Sequence, residues 1–311
     1  MLTSDQNRKI NEIVEEFKEA ADFYRMEYSE DLMGMFRDFG CMLLLKCKVD
    51  TEGKADLERL LEGRHKLKGT VKRQLMTVSE ELAQLWEPGE QDGSGDTGEY
   101  EGSQNVREMF QTALEEIFHF CLYSKGGKNR YLLPEETAKP LLRLLTFPEG
   151  MMAGNEGLVV LDTQCGAGSA LMAASRYLKN LRLMGYEKDE EMWAAAVIMS
   201  QLSGLEMELH LEDGARADLY ESCDLVISNP VYGTDTIKDE ELIDQLPGEL
   251  KTVRGRYHME LIRSMQALNF DGKAMLIVPN SFLFANRTES MKVRKWLLQS
   301  YSLEAIISLP E

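Results

Sequence analysis

Hydrophobic residues recur at helical spacing along the first part of the chain. One apolar stripe consists of Ile10, Ile13, Val14 and Phe17, and a second consists of Leu75, Val78, Leu82 and Leu85. Residues 5–87 also lack proline and the strict alternation that is typical of strands. A period near 3.6 residues predicts amphipathic helices that turn one face toward a core. We therefore predict an amino-terminal helical domain at residues 1–87.

This pattern is interrupted at residues 88–104, PGEQDGSGDTGEYEGSQ, which contain five glycines, five acids and no basic residue. Such a composition predicts a flexible linker or loop. Residues 105–150 return to helical spacing and lead into the rest of the chain. They contain a predicted helix at 105–124, a basic loop ending RYLLP, and a second helix with Pro134 near its first turn.

Short apolar strands alternate with helices after residue 157. Strands are predicted near residues 158–162, 181–186, 206–211, 223–228, 273–279 and 303–308, and helices near 168–180, 189–203, 256–269 and 287–300. This alternation is typical of an α/β fold with a parallel sheet covered on both faces. We predict such a domain at residues 151–311, with its ligand sites at the carboxyl ends of the strands.

Composition restricts the class of function. The formal net charge of −18 argues against a stand-alone nucleic-acid binder, because phosphate contacts need clustered Lys and Arg. The charge does not exclude an enzyme that meets nucleic acid through a basic cleft or together with a basic partner.

Five scattered cysteines, the lack of a signal peptide and the short apolar runs favour a cytoplasmic protein without a membrane span. The four histidines lack metal-site spacing, so no metal is expected.

An acid lies at the end of three successive predicted strands or within two residues beyond it. The first ends at Asp162 and continues as TQCGAG, where Gly166 and Gly168 would let the backbone approach a ligand. Taken alone, this stretch is better explained by a tight turn. Glu187 lies at the tip of the second strand, where an acid could accept hydrogen bonds from both hydroxyls of a ribose. Asp213 follows the third strand, where its carboxylate could accept a hydrogen bond from an adenine amino group. Together, the three positions favour a nucleoside-containing cofactor.

The fourth strand stops abruptly at Asn229-Pro230-Val231-Tyr232. The Asn229 amide oxygen and the following backbone carbonyl could together accept both hydrogens of an exocyclic amino group. Tyr232 could stack on the ring that carries this amine. An ordinary Asn-Pro turn explains the motif equally well by itself, but the three preceding loops favour a site that methylates an amino nitrogen.

These motifs together resemble those of N6-adenine DNA methyltransferases, most closely the modification subunit of type I restriction–modification systems. The resemblance covers roughly residues 120–311. DTQCGAG is similar to the family's Asp-Pro-x-Cys-Gly-x-Gly loop, GYEKD to its Gly-x-Glu stretch, and SNPVY to its Asn-Pro-Pro-Tyr/Phe motif. RYLLP resembles the segment that precedes the core, and GKAMLIVPNSFLF with LEAIISLP resembles the later strands.

The resemblance implies a Rossmann-like class I methyltransferase sheet with S-adenosylmethionine as the methyl donor. Residues implied at the donor site are Tyr131, Pro134, Asp162, Cys165, Gly166, Gly168, Glu187, Asp213 and Asn229. Those implied at the target adenine are Asn229, Pro230 and Tyr232. It also implies DNA, a separate specificity subunit and a restriction subunit as partners.

The sequence departs from the family pattern at three motif positions and at its carboxyl end. Val231 stands where the family has its second proline, Thr163 replaces a proline in the first loop, and Leu133 replaces a threonine before Pro134. The family's sheet continues beyond the LEAIISLP strand with an antiparallel strand, so we expect a sheet truncated at its carboxyl end and a fragment of a longer protein.

Two alternatives follow from the same motifs. The amine acceptor could be an RNA base or a protein glutamine, which related Asn-Pro-x-Tyr sites also hold. A degenerate methyltransferase fold that serves as a binding or assembly module is the alternative from a different class.

Overall fold

The first strand of the α/β region forms where the sequence is most apolar. In the computed structural model, strand β1 (Leu158–Asp162) is almost completely buried, and it ends at the acid that precedes the first Gly-x-Gly loop.

The structure describes residues 2–28, 31–49, 55–62, 67–86, 100–124, 132–145, 157–220, 222–230, 235–286 and 288–309. Residues 1–130 and 194–206 form one compact unit, and residues 131–193 and 207–311 form another.

The first unit is helical. Its helices are α1 (Ser4–Glu27), α2 (Met33–Lys46), α3 (Ala55–Glu62), α4 (Gly69–Ala83) and α5 (Tyr100–Leu122). Thr3 begins α1 with a capping box, in which its side chain accepts from Gln6 N–H while the Gln6 side chain accepts from Thr3 N–H. Both apolar stripes predicted for this region are buried, which confirms its helical core-facing pattern. Residues 100–104 of the predicted linker belong to α5, and 87–99 lie outside the described residues.

The second unit contains the sheet. It begins with α6 (Glu135–Leu144) and continues through β1, α7 (Ser169–Tyr177), β2 (Leu181–Glu187), α8 (Glu190–Ser203, within which the division between units falls) and β3 (Met207–Leu211). The later elements are β4 (Cys223–Ser228), α9 (Glu240–Asp244), a 3-10 helix (Gly248–Leu250), α10 (Arg256–Gln266), β5 (Leu268–Leu276), α11 (Asn280–Phe284) and α12 (Thr288–Ser300). None of the helices that the structure describes is long and apolar enough to cross a membrane.

The five strands form one parallel sheet in the order β3-β2-β1-β4-β5. The chain therefore reverses its direction of winding between β1 and β4, which is the switch point where α/β sheets bind ligands. Val160 of β1 pairs with Leu225 of β4, and Asp162 pairs with Gly185 of β2. The loops that follow β1, β2 and β4 therefore leave the same edge of the sheet side by side.

The predicted α/β fold class is confirmed, and strands β1 to β4 lie within one residue of their predicted bounds. The fifth strand starts five residues earlier than predicted because α10 ends at Gln266. The carbonyl of the next residue, Ala267, accepts a hydrogen bond from Cys223 N–H of β4, so pairing between the two strands begins there. The predicted strand at 303–308 is wrong: residues 302–309 have no strand structure, and Leu303, Ile306 and Ile307 are exposed. A strand needs a hydrogen-bonded neighbour, and apolar periodicity cannot supply one.

Gly214 fixes the distance between two loops at the carboxyl edge of the sheet. A Cβ atom at this position would lie 2.3 Å from the carbonyl oxygen of Thr163 and 2.9 Å from the Cβ atom of Tyr186. The first contact is with backbone, which cannot rotate away. Glycine is therefore required for the loop after β3 to pack against the loop after β1.

We expect Gly214→Ala to lower the free energy of unfolding by about 2 kcal/mol or more, since the added methyl group must displace the β1 loop. Chemical denaturation measures this change. Gly248→Ala is the matched control, because a Cβ atom there meets nothing within 4 Å, and it should change stability by less than about 0.5 kcal/mol. Equal effects of the two substitutions would contradict the proposed close approach.

Candidate active site

The loop after β1 is held in place by hydrogen bonds from its own backbone. The N–H group of Cys165 donates to the Tyr186 carbonyl at 2.9 Å, and that of Gly168 donates to the Cys165 carbonyl at 2.8 Å. Gly166 and Gly168 have φ angles of +55° and +80°, in the left-handed region that favours glycine. The turn leads directly into α7, and Gly166 itself adds no side chain to the loop, although the Met192 side chain lies 3.5 Å from where a Cβ atom at Gly166 would be.

Glu187 joins this loop to the end of β2. Its Oε2 atom accepts from Gly166 N–H at 2.9 Å, and its Oε1 atom accepts from Asp189 N–H at 2.7 Å. Burial raises the pKa of Glu187, although these backbone hydrogen bonds oppose the shift. Each carboxylate oxygen retains a further lone pair, so the side chain can still accept from a ligand hydroxyl.

Asp162 is the most deeply buried acid of the site, with 3% of its surface exposed. Burial raises its pKa to about 7, and the negative charge of Glu187 adds to the shift, whereas the hydrogen bond from Gln164 N–H opposes it. Two acids with raised pKa values at neighbouring strand ends form an environment that a cationic ligand would stabilise. The donor implied by the sequence resemblance carries an ammonium and a sulfonium group, so the residues present fit it.

Asp213 lies in the loop after β3, as predicted, but its carboxylate already has protein partners. Oδ2 accepts from Arg256 Nη2 at 2.7 Å, and Oδ1 accepts from Ala215 N–H at 3.2 Å. Arg256 also donates through Nε to Glu260 Oε1 at 2.7 Å. The suggested role of Asp213 toward an adenine amino group stays a prediction, and it would use the remaining lone pairs of a carboxylate that is fixed in position.

Asn229 and Pro230 follow β4 immediately beside the β1 loop. Asn229 is half-buried and Pro230 is buried. The preceding residue, Ser228, donates from Oγ to Gln164 Oε1 at 3.4 Å, and this contact connects the Asn-Pro loop to the Gly-x-Gly loop. Tyr131, Val231 and Tyr232 lie outside the described residues, so their predicted roles stay predictions.

The segment before α6 approaches the same region. Leu133 is buried, and its N–H group donates to Ser169 Oγ at 3.1 Å, at the first residue of α7. Pro134 is the amino-terminal cap residue of α6 and is exposed. The structure therefore places the end of the RYLLP segment against the helix that follows the Gly-x-Gly loop.

Cys165 faces the interior of the sheet rather than the loop surface. Burial raises the pKa of its thiol well above the ordinary value, and the charges of Asp162 and Glu187 add to the shift. Its Sγ atom would lie 2.8 Å from a Cβ atom at Gly185, so the sulfur occupies space that a side chain on β2 would otherwise fill. A neutral buried thiol of this kind is a packing group and not a nucleophile.

Sequence reasoning missed the contribution of α10 to this site. Ser264 Oγ lies 2.5 Å from Thr163 Oγ1, which also accepts from Gln164 Nε2 at 2.6 Å. Arg256, Glu260 and Ser264 are spaced four residues apart and therefore share one face of the helix. That spacing of polar residues within RYHMELIRSMQ was the available signal. Thr163, which departs from the family's proline, supplies the hydroxyl that joins α10 to the β1 loop.

We expect Asp162→Asn to stabilise the protein at pH 8. The pKa of the carboxyl group rises from about 3.9 in the unfolded chain to about 7 in the folded protein. Its charge therefore costs stability increasingly as the pH rises from 4 to 7, and fully above 7. The amide carries no charge, so the variant should gain at least about 1 kcal/mol at pH 8, and the gain should shrink toward pH 4.5.

Thermal unfolding of both proteins at several pH values measures this difference. Glu249→Gln, which removes an exposed acid, should produce no comparable pH-dependent gap. A stability difference between Asp162→Asn and the parent protein that stays constant from pH 8 to pH 4.5 would show that folding does not raise the pKa of this carboxyl group.

Comparison with known proteins agrees with this geometry. A family model described as N-6 DNA methylase matches residues 107–311. The type I restriction enzyme MjaVII methylase subunit of Methanocaldococcus jannaschii is 24% identical over 281 residues, which are 82% of this chain and 44% of that protein. The chain thus spans less than half the length of this curated relative.

Two solved structures share the fold over most of their length. A protein of Listeria monocytogenes designated a class I S-adenosylmethionine-dependent methyltransferase has a TM-score of 0.62 and 17% identity, and the match covers 94% of this chain and 80% of that one. The type I restriction-modification methyltransferase subunit of Streptococcus thermophilus has a TM-score of 0.56 and 16% identity, covering 93% and 79%. These likenesses show the class I methyltransferase fold, and because the family model spans more than half of its residues, the chain belongs to the N-6 DNA methylase family.

Proposed function

We propose that this protein transfers a methyl group from S-adenosylmethionine to the N6 atom of adenine in DNA, as the modification subunit of a type I restriction–modification complex. Family membership supports the reaction, and the similarity to the methylase subunits of M. jannaschii and S. thermophilus supports the assembly. RNA bases, protein glutamines and a purely structural role are outcomes that the experiments below would distinguish.

The observation that carries the proposal is the direct connection between the two loops. Strands β1 and β4 are adjacent, so Gln164 reaches from the Gly-x-Gly loop to Ser228, and Asn229 follows at once. A donor in the first loop and an amine held by the second would therefore be neighbours. Placing two reactants side by side removes much of the entropic barrier to a direct transfer.

Asp162 and Glu187 would hold the donor. S-adenosylmethionine supplies a methyl group on a positively charged sulfur when it is bound. The buried charge of Asp162 would favour the cationic methionine end, and Glu187 would accept from the ribose hydroxyls while its other lone pairs remain bonded to the loop. Gly166 and Gly168 would let the ligand approach the backbone closely.

Asn229 and Pro230 would orient the target amine. The side-chain oxygen of Asn229 and the main-chain oxygen of Pro230 are both acceptors, and together they match the two hydrogens of an adenine amino group. Accepting these hydrogens directs the nitrogen lone pair toward the donor and stabilises positive charge as it develops on nitrogen. Tyr232 would stack on the base, which must leave the DNA duplex to enter the site.

The acidic balance of the chain fits an assembly in which another subunit makes much of the DNA contact. A net charge of −18 disfavours tight binding to phosphates by this chain alone. We propose that a specificity subunit selects the DNA sequence and that a restriction subunit joins the complex. The five free thiols, all buried, support a reducing cytoplasm as the setting.

We expect the protein to bind S-adenosylmethionine with micromolar affinity in a calorimeter. Glu187→Gln should weaken binding at least tenfold, because the amide puts an N–H donor in place of an acceptor that the ribose and the loop both use. Glu249→Gln is the matched control and should bind like the parent protein. The absence of binding by the parent protein would favour the structural role.

Asn229→Ala should separate donor binding from transfer. Removal of the amide leaves the amine without one of its two acceptors, so the rate of transfer at saturating S-adenosylmethionine should fall at least about 100-fold. This factor should exceed any rise in the Kd for S-adenosylmethionine, whose implied site also includes Asn229. The assay follows labelled methyl groups into DNA, RNA and protein, with any co-encoded specificity subunit present. Incorporation into RNA or protein but not DNA would replace the proposed substrate.

A further inference from the structure

Arg256 occupies a junction at the carboxyl edge of the sheet. It is the first residue of α10, and its guanidinium group donates to two carboxylates at 2.7 Å: Nη2 to Asp213 Oδ2 and Nε to Glu260 Oε1. The Glu260 side chain is only 5% exposed. A planar guanidinium with both partners in place has little freedom to rotate, so its position is fixed from the side of the helix.

The Asp213 carboxylate is fixed from both of its oxygens. Arg256 holds Oδ2, and the N–H group of Ala215 donates to Oδ1 at 3.2 Å. Arg216 also approaches Oδ2, but at 3.8 Å and from a side chain that is 56% exposed, and it pairs with Asp239 as well. Arg256 is therefore the partner that determines the orientation of this carboxylate.

The backbone of Arg256 has a second connection. Its N–H group donates to the Asp235 carbonyl at 2.8 Å, and Ile237 N–H donates to the Arg254 carbonyl at 2.7 Å. Thr236 and Gly255 form a β-bridge between these two hydrogen bonds. Residues 235–237 are therefore held against the start of α10 by backbone pairing.

We infer that Arg256 is a positioning residue that holds the Asp213 carboxylate ready for the amino group of the donor's adenine. This inference rests on the proposed function. A carboxylate that is already oriented loses less conformational freedom when it binds the ligand, so its hydrogen bond contributes more to affinity.

The ion pair between Arg256 and Glu260 determines which substitution of Arg256 gives an interpretable result. Burial raises the pKa of Glu260, and the positive charge of Arg256 opposes the shift. Arg256→Gln alone would leave a buried carboxylate without its charged partner, and instability would obscure any effect on the ligand. Replacement of both residues, Arg256→Gln with Glu260→Gln, removes the pair together and should preserve folding.

The test compares two probes by calorimetry. S-adenosylhomocysteine carries the adenine amino group, and S-inosylhomocysteine has an oxygen in its place. The parent protein should prefer the first at least tenfold, because the second sets a carbonyl oxygen against the Asp213 carboxylate. In the double variant, the Kd for S-adenosylhomocysteine should rise about tenfold while that for S-inosylhomocysteine stays within about threefold, so the preference should largely disappear.

Arg182→Gln is the matched control. It removes an exposed ion pair with Glu208 from β2 and β3, and the preference for the amino probe should remain. Thermal unfolding of each variant confirms that it is folded. If the double variant does not fold, Arg256→Lys replaces it, because an ammonium keeps the charge but cannot reproduce the fork, and the preference should fall at least threefold.

Two results would overturn the inference while leaving the donor site intact. One is equal affinity of the parent protein for both probes, which would show that Asp213 does not distinguish the amino group from the oxygen. The other is a folded variant that keeps the full preference of the parent protein. Binding of neither probe by the parent protein would instead refute the proposed function, and the inference with it.

Discussion

The parallel pairing of β1 with β2 on one side and with β4 on the other is the constraint on which the site depends. Hydrogen-bond register allows no partial shift, so once Val160 lies opposite Leu225 and Asp162 opposite Gly185, the three loops must emerge together. The loops themselves need little additional structure. Hydrogen bonds between neighbouring loops, such as the one from Gly166 N–H to the Glu187 carboxylate, then fix the loop conformations.

The adjacent ends of β1 and β2 bring two carboxylate groups together in a region that is largely shielded from solvent. Asp162 lies at the end of a buried strand, and Glu187 lies at the end of the next one. Burial of ionisable groups reduces stability, and it is tolerated where a ligand compensates for the charge. The raised pKa values of these acids follow from burial without a basic partner among the described residues, as expected at the proposed donor site.

Helix α10 gives the loops their rigidity. Arg263, on the same face of the helix as Arg256, donates to the carbonyls of Ala215 and Ala217 and so holds the chain just beyond Asp213. Ser264 holds Thr163, and Arg256 holds Asp213. Buried polar contacts of this type are specific in geometry, because each would leave an unsatisfied group if the helix moved. The helix thereby acts as a common support for the loops after β1 and β3.

Periodicity and motif spacing alone determined the α/β class, the bounds of β1 to β4 and the positions of Asp162, Gly166, Glu187 and Asn229, because these depend on local patterns of apolar and special residues. Only the tertiary structure decided the rest. The segment at 303–308 has the pattern of a strand but lacks a paired neighbour, and hydrogen-bond partners are a property of the whole fold. Likewise, the pairing of Asp213 with Arg256 joins residues 43 positions apart, and no local pattern specifies such a contact.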